Sequence, residues 1–343
     1  MESLFLLAFG EEEFLAVLAM TGLEAFFNKL LDLSQRDFHV FDNGIEQKII
    51  RWDLDGDPLA VALVIETSAH IQMMAPVIRR MGSIFTENVM ALDGEAAVIT
   101  YGTTVEVPQP FTRDHDLVAK AISNVQFGTP AMKLFDAMAT AVQMLAPQPA
   151  TLRRIMLVVG ESQDSSSQAE LKNVIRDATF NNITIYSVGP SSTAADLRYG
   201  TTAQNGMNLP PLPLPKAIPP VSTVDPPRDP WGNPRFDFGT PLFWLIERGT
   251  NQVRNIKLEH AVVATGGIHY GALRDKTILT ALDKIAGELH AQYTLSYMPQ
   301  AENAAGFHAI HVSVARPDVN VRTRPGYFVS PQGEDIAGEK KCH

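Results

Sequence analysis

The sequence predicts an α/β fold: a doubly wound, Rossmann-like layering of helices around a mostly parallel six-stranded sheet. Three observations predict it. Residues 61–65 (VALVI) and 155–159 (IMLVV) are continuous apolar runs, as found in strands buried on both faces of a parallel sheet. Both runs stop abruptly at small polar clusters, Glu66-Thr67-Ser68 and Gly160-Glu161-Ser162. Segments of helical period separate the runs, which is the strand–helix alternation of a doubly wound domain. In such sheets ligands sit at the carboxyl ends of the strands, so the polar clusters lie where function is expected.

Composition bounds the rest. The chain has 343 residues, is 45% hydrophobic and carries a formal charge of −10. That is enough apolar material for a large core, and the charge leaves no basic surface for nucleic acid. The one cysteine, Cys342, excludes an intrachain disulfide and a cysteine metal cluster. Residues 1–31 are apolar but carry Glu2 and the run Glu11, Glu12, Glu13, with the first lysine at Lys29. They are expected to form an atypical helical extension, without the basic start of a signal peptide or the length of a membrane span.

In chain order, residues 33–57 read as a leading β-hairpin turning at Asp42-Asn43-Gly44. Residues 61–65 read as the organising strand. The next helical stretch contains Pro76, which implies a kink or a helix start. Residues 95–101 are a second strand. Residues 104–107 are a short antiparallel edge strand before Pro108, and Thr112 is placed to cap a helix. Helices are expected over 133–145 and from Ser165–Ser167 to Phe180, with the strand 155–159 between them. Residues 183–188 and 268–270 continue the sheet. Residues 190–239 are a proline-rich insertion, read as an excursion from the domain or as a polyproline ligand for an aromatic groove. Long helices over 242–263 and 278–292 follow, then a further strand over 293–297. Residues 308–314 and 320–324 read as a closing antiparallel pair, and 331–343 as a loose tail. The main domain thus spans 58–330.

Several segments together resemble the von Willebrand factor type A (VWA) domain, and in particular the bacterial VWA-related branch named for acidobacteria. They are DFHVFDNGIEQKI, VALVIETSAH, LFDAM at 134–138, RRIMLVVGESQDSSS, LDKIAGELHAQYTLSYMP and VRTRPGYF. The resemblance covers about residues 33–329 outside the insertion. It implies a protein-binding module with a metal-ion-dependent adhesion site. In that site an Asp-x-Ser-x-Ser cluster, a threonine and an aspartate hold Mg²⁺ or Mn²⁺, and a partner's acidic group completes the coordination. Carried onto this chain, the site residues are Glu66, Ser68, His70, Thr129 and Glu161. Glu66 and Glu161 stand where the family has aspartates, and His70 replaces a serine. Counting back from Asp136 places Met132 at the threonine position, so Thr129 fits only with a longer loop.

Two readings of these five residues stay open: a degenerate site whose members hydrogen-bond one another, and an altered metal site. If Glu66 and Glu161 converge, a cation, a shared proton or a protonated His70 must balance them. An unidentified protein partner is expected, and relatives suggest a secreted or periplasmic setting. Ser162 offers an alternative, a serine hydrolase, which requires it to lie within hydrogen-bond reach of a histidine. The motif lacks the final glycine of a nucleophile elbow. His308 and His311, three apart on a strand, are expected on opposite faces.

Overall fold

The computed structural model describes residues 2–9, 33–54, 58–189, 258–271, 275–290, 292–299, 306–315 and 320–329. The strands are β1 (Glu2–Phe9), β2 (Phe38–Asp42), β3 (Ile45–Gln47), β4 (Ile49–Leu54), β5 (Leu59–Glu66), β6 (Glu95–Tyr101) and β7 (Val105–Thr112). They continue as β8 (Arg153–Val159), β9 (Ile183–Gly189), β10 (His269–Gly271), β11 (Tyr293–Tyr297), β12 (Gly306–Val314), β13 (Asn320–Arg322) and β14 (Gly326–Val329). The helices are α1 (Ala75–Ile84), α2 (His115–Ser123), α3 (Leu134–Leu145), α4 (Leu171–Phe180), α5 (Leu258–Ala264) and α6 (Asp275–Leu289).

The central sheet has the order β10-β9-β8-β5-β6-β7. Five strands are parallel, and β7 is the antiparallel edge. Every residue of β5 is buried, and its pleat divides them between two cores. Leu59, Val61, Leu63 and Ile65 pack with residues of α1, α2 and α6. Ala60, Ala62 and Val64 pack with residues of α3, α4 and α5. Burying an aliphatic side chain of this size stabilises the fold by about 1.5–3 kcal/mol, which fixes β5 as the central rod. This is the predicted doubly wound architecture.

Local chemistry explains where the elements start and stop. Pro76 lies in the first turn of α1, where its missing N–H costs nothing. The edge strand is longer than the sequence suggested, running through Pro108 and Pro110 to Thr112. An edge strand tolerates proline because one row of its N–H groups has no strand to bond. The helix cap therefore shifts from Thr112 to Asp114, whose carboxylate accepts from the Asp116 and Leu117 N–H groups.

The flanking strands depart further from expectation. Asn43 and Gly44 take φ of 48° and 81°, the paired positive values of a tight hairpin turn, so β2 and β3 form the leading hairpin. The strand then breaks at Lys48, and β4 pairs with β11 instead. Tyr293–Tyr297 is a strand, but it lies outside the parallel sheet. The closing antiparallel pair is β12 with β14, while β13 joins β1. Two four-stranded sheets result, β13-β1-β11-β4 and β14-β12-β2-β3. They share one core containing Phe38, Val40, Tyr293, Leu295, Ile310, Val312 and Val314. The hairpins at the two ends of the sequence are thus parts of a small β-sandwich.

The helical reading of residues 1–31 is corrected over Glu2–Phe9, which is a strand antiparallel to both β11 and β13. Sheet pairing overrides the period of a short apolar run, which periodicity alone cannot assign. The rest of that stretch, the proline-rich insertion and most of the 242–263 helix lie outside the described residues. Among the described residues no helix is long and apolar enough to cross a membrane.

Candidate functional site

The site forms where β5, β6 and β8 end side by side. Glu66 is the last residue of β5, and its register partner on β6 is Tyr101. After Glu66 the chain leaves the sheet but stays tied to it. The Thr67 N–H and hydroxyl both donate to the Tyr101 carbonyl, at 2.8 and 2.9 Å. The Thr67 carbonyl in turn accepts from the Gly128 and Thr129 N–H groups, and the Ala69 N–H donates to the Thr129 carbonyl. These bonds bring the loop before α3 against the end of β5, with Ser68 and Thr129 bridged in parallel register. Thr129 thus lies beside Ser68 although the residue count pointed to Met132. Met132 is buried, and its backbone is held by Ser165 and Ser166.

The centre is the Glu66 carboxylate, which is fully buried. One oxygen accepts the Ser68 hydroxyl. The other accepts the Glu161 N–H at 2.5 Å and the Tyr101 hydroxyl at 3.5 Å. Burial raises the Glu66 pKa above its ordinary value; the Ser68 and Glu161 N–H bonds oppose that rise, and the Glu161 charge adds to it. Burial and the neighbouring Glu66 charge hold the Tyr101 phenol neutral, well above its usual range.

Two glycines make the close approach possible. A Cβ on Gly160 would stand 2.5 Å from the Tyr101 hydroxyl and 2.6 Å from the Glu66 carboxylate. A Cβ on Gly102 would stand 2.1 Å from the Thr129 hydroxyl. Neither Tyr101 nor Gly102 was singled out from sequence, and Gly160 entered only as part of the polar cluster after the strand. The available signal was Tyr101's place at the carboxyl end of the strand beside β5.

The remaining predicted residues are only partly gathered. The Ser68 hydroxyl accepts the His70 backbone N–H at 3.1 Å, while the His70 ring stands outside, 58% exposed and 3.8 Å from the Glu161 carboxylate. The Thr129 hydroxyl faces that of Thr67 at 3.4 Å. Asp164 is used elsewhere: it accepts the Ser167 hydroxyl at 2.5 Å and the Phe135 N–H at 3.3 Å, holding the start of α3.

A Mg²⁺ or Mn²⁺ ion at these residues would meet a carboxylate that already accepts protein donors. Such ions need several oxygen lone pairs aimed at one open point. Here each Glu66 oxygen accepts at least one protein donor, and the Ser68 hydroxyl donates to one of them. Among the described residues no three His, Cys, Asp or Glu side chains are grouped as metal ligands. Nor is a hydrolase pair assembled. The Ser162 hydroxyl is buried and has no hydrogen-bond partner, histidine or other, among the described residues.

A comparison with curated proteins finds no match. Among solved structures the chain is similar to the SpRpn10 VWA domain, at 18% identity, 43% of this chain, 82% of the other and a TM-score of 0.33. It is also similar to an aerotolerance-related membrane protein from Bacteroides fragilis, at 12% identity, 67% of this chain, 99% of the other and a TM-score of 0.39. A third similar structure is the vWF domain of the type V pili tip protein Mfa5 from Porphyromonas gingivalis, at 16% identity, 33% and 39% coverage and a TM-score of 0.28. Residues 61–206 match the family model described as von Willebrand factor type A domain, and the six-stranded domain around β5 has that family's doubly wound fold.

Proposed function

We propose that the chain is a protein-binding module whose contact surface is the strand-end face around Glu66, and that binding there does not run through a divalent ion. VWA domains commonly mediate protein–protein interaction, which supports the class of activity. The observation that carries the reading to this face is Met73. It lies on the 3₁₀ turn Ala69–Met74 that follows Ser68, and it is 90% exposed. A flexible thioether held out beside an ordered polar floor suits an adaptable contact surface. The His70 ring, on the same turn, adds a polar contact.

The floor beneath is rigid. Thr67, Ser68 and Thr129 are pinned by backbone bonds, and Glu66 has its own donors, so a partner meets a preformed surface. A photo-reactive residue placed at position 73 should crosslink a defined partner, and the same residue at Phe180, exposed on α4, should not. Equal crosslinking from both positions would overturn the assignment to this face.

A further inference from the structure

Six strands stand at sheet edges among the described residues: β3, β4, β7, β10, β13 and β14. An edge is a row of backbone donors and acceptors that will pair with another strand unless something blunts it. Five of the six are blunted. β3, β10 and β13 have three residues each and β14 has four, too short to hold a second chain. β7 is longer but carries Pro108 and Pro110, and its register against β6 slips twice. β4 has six residues, Ile49–Leu54, and no proline. Its one irregularity is at its start, where Ile50 is skipped, and Arg51–Leu54 pair with β11 in regular register.

Charge decides which partner fits this edge. Arg51 and Asp53 are two apart and share one face of the strand. Their side chains meet at 3.2 Å and are 44% and 43% exposed. Trp52, between them, is turned to the sandwich core and stacks on Tyr293 with ring centres 5.7 Å apart. One base and one acid on the same face of an edge are complementary to a reversed copy of themselves. Side chains alternate between faces, so a two-fold antiparallel pair that continues the sheet must be centred on a residue. Centred on Arg51 or on Asp53, the pair sets like charges directly opposite, which is destabilising. Centred on Trp52, it sets Arg51 opposite Asp53 of the second copy, twice over. Ile50, 46% exposed, then stands opposite Leu54 of the second copy.

We propose that β4 is a self-association edge, and that two copies of this chain join through antiparallel β4 strands centred on Trp52. The four-stranded sheet β13-β1-β11-β4 then continues into its copy. The contact is the same surface on both copies and closes on itself, so assembly stops at the dimer. A strand pair of this length buries less than a standard stable interface, so the dimer comes apart on dilution. The Glu66 face takes no part in the contact.

The test is the oligomeric state of the full chain, by sedimentation over a range of concentrations. The native chain should shift from monomer to dimer as concentration rises, and Met73→Ser, on the strand-end face, should shift with it. Arg51→Asp and Asp53→Arg each set like charges across the two-fold and should stay monomeric while folded by circular dichroism. Mixed together, the two variants should recover the dimer, because a strand with two aspartates then meets a strand with two arginines. A merely structural loss would not be repaired by mixing. A native chain that stays monomeric throughout, a dimer that both reversals retain, or monomeric variants that fail to recombine would each overturn the proposal.

Discussion

The backbone N–H of Glu161, at the end of β8, donates to the side-chain carboxylate of Glu66, at the end of β5, across 2.5 Å. The second acidic residue of the candidate site therefore meets the first through its main chain, and its carboxylate lies toward His70. The sequence left the convergence of these two acids conditional, and the contact between them runs through the Glu161 peptide N–H.

This arrangement fixes a pH dependence. The folded-state pKa of Glu66 is raised above its ordinary 4.5, chiefly by burial. The folded protein therefore binds the Glu66 proton more tightly than the unfolded chain does. The associated stability is fully present below pH 4.5 and is lost as pH rises through the folded value. Glu66→Gln, which cannot ionise, should flatten the stability profile above pH 4.5 in urea denaturation. Glu66→Ala leaves Ser68 and the Glu161 N–H without their acceptor and should cost about 2–3 kcal/mol. A Glu66→Gln profile parallel to wild type would refute the linkage.

Gly160→Ala should be severe for its size. The added methyl meets the Tyr101 hydroxyl and both Cβ and carboxylate of Glu66 within 2.6 Å. Overpacking of this kind costs about 1–3 kcal/mol. Denaturant midpoints report it, and a wild-type midpoint would mean that the three strand ends yield to the extra methyl without strain.

Ser162→Ala should be neutral or stabilising, by up to about 1 kcal/mol. The variant removes a buried hydroxyl with no partner among the described residues, whose desolvation is otherwise uncompensated. Loss of a binding activity in this folded variant would restore Ser162 to consideration as a functional group.

Mg²⁺ and Mn²⁺ at millimolar concentration should leave the thermal midpoint unchanged, because an ion that binds only the folded state must raise it by mass action. A rise that Glu66→Ala abolishes would show that the Glu66 carboxylate can exchange its protein donors for an ion, and binding through a divalent ion would then replace the metal-independent contact.

The sandwich and the parallel-sheet domain should unfold together. Arg322 on β13 is paired with the buried Glu288 of α6, which also accepts from Tyr186 of β9 at 2.5 Å and Tyr270 of β10 at 3.3 Å. Arg322→Ala leaves Glu288 buried without its cation, at a cost of about 3 kcal/mol. Calorimetry should show one transition in the native chain and a lower, broader one in the variant.

The sequence by itself determined the doubly wound domain. The runs at 61–65 and 155–159 carry enough buried aliphatic surface to be strands in any register, and the helices between them follow from periodicity. It also placed the polar strand ends together, because polar residues directly after such strands fall on one edge of the sheet. The tight turn at Asn43-Gly44 was equally local, since its positive φ values favour those residues. Only the tertiary structure decided the sandwich. Strands β1, β4, β11 and β13 are short, and their partners are distant in sequence: Leu4 faces Leu295, and Trp52 faces Leu295 from the other side. Tertiary structure also decided what Glu66 does. Its chemistry depends on a hydroxyl from Tyr101 and an N–H from Glu161, 35 and 95 residues away, and no local pattern encodes contacts at that separation.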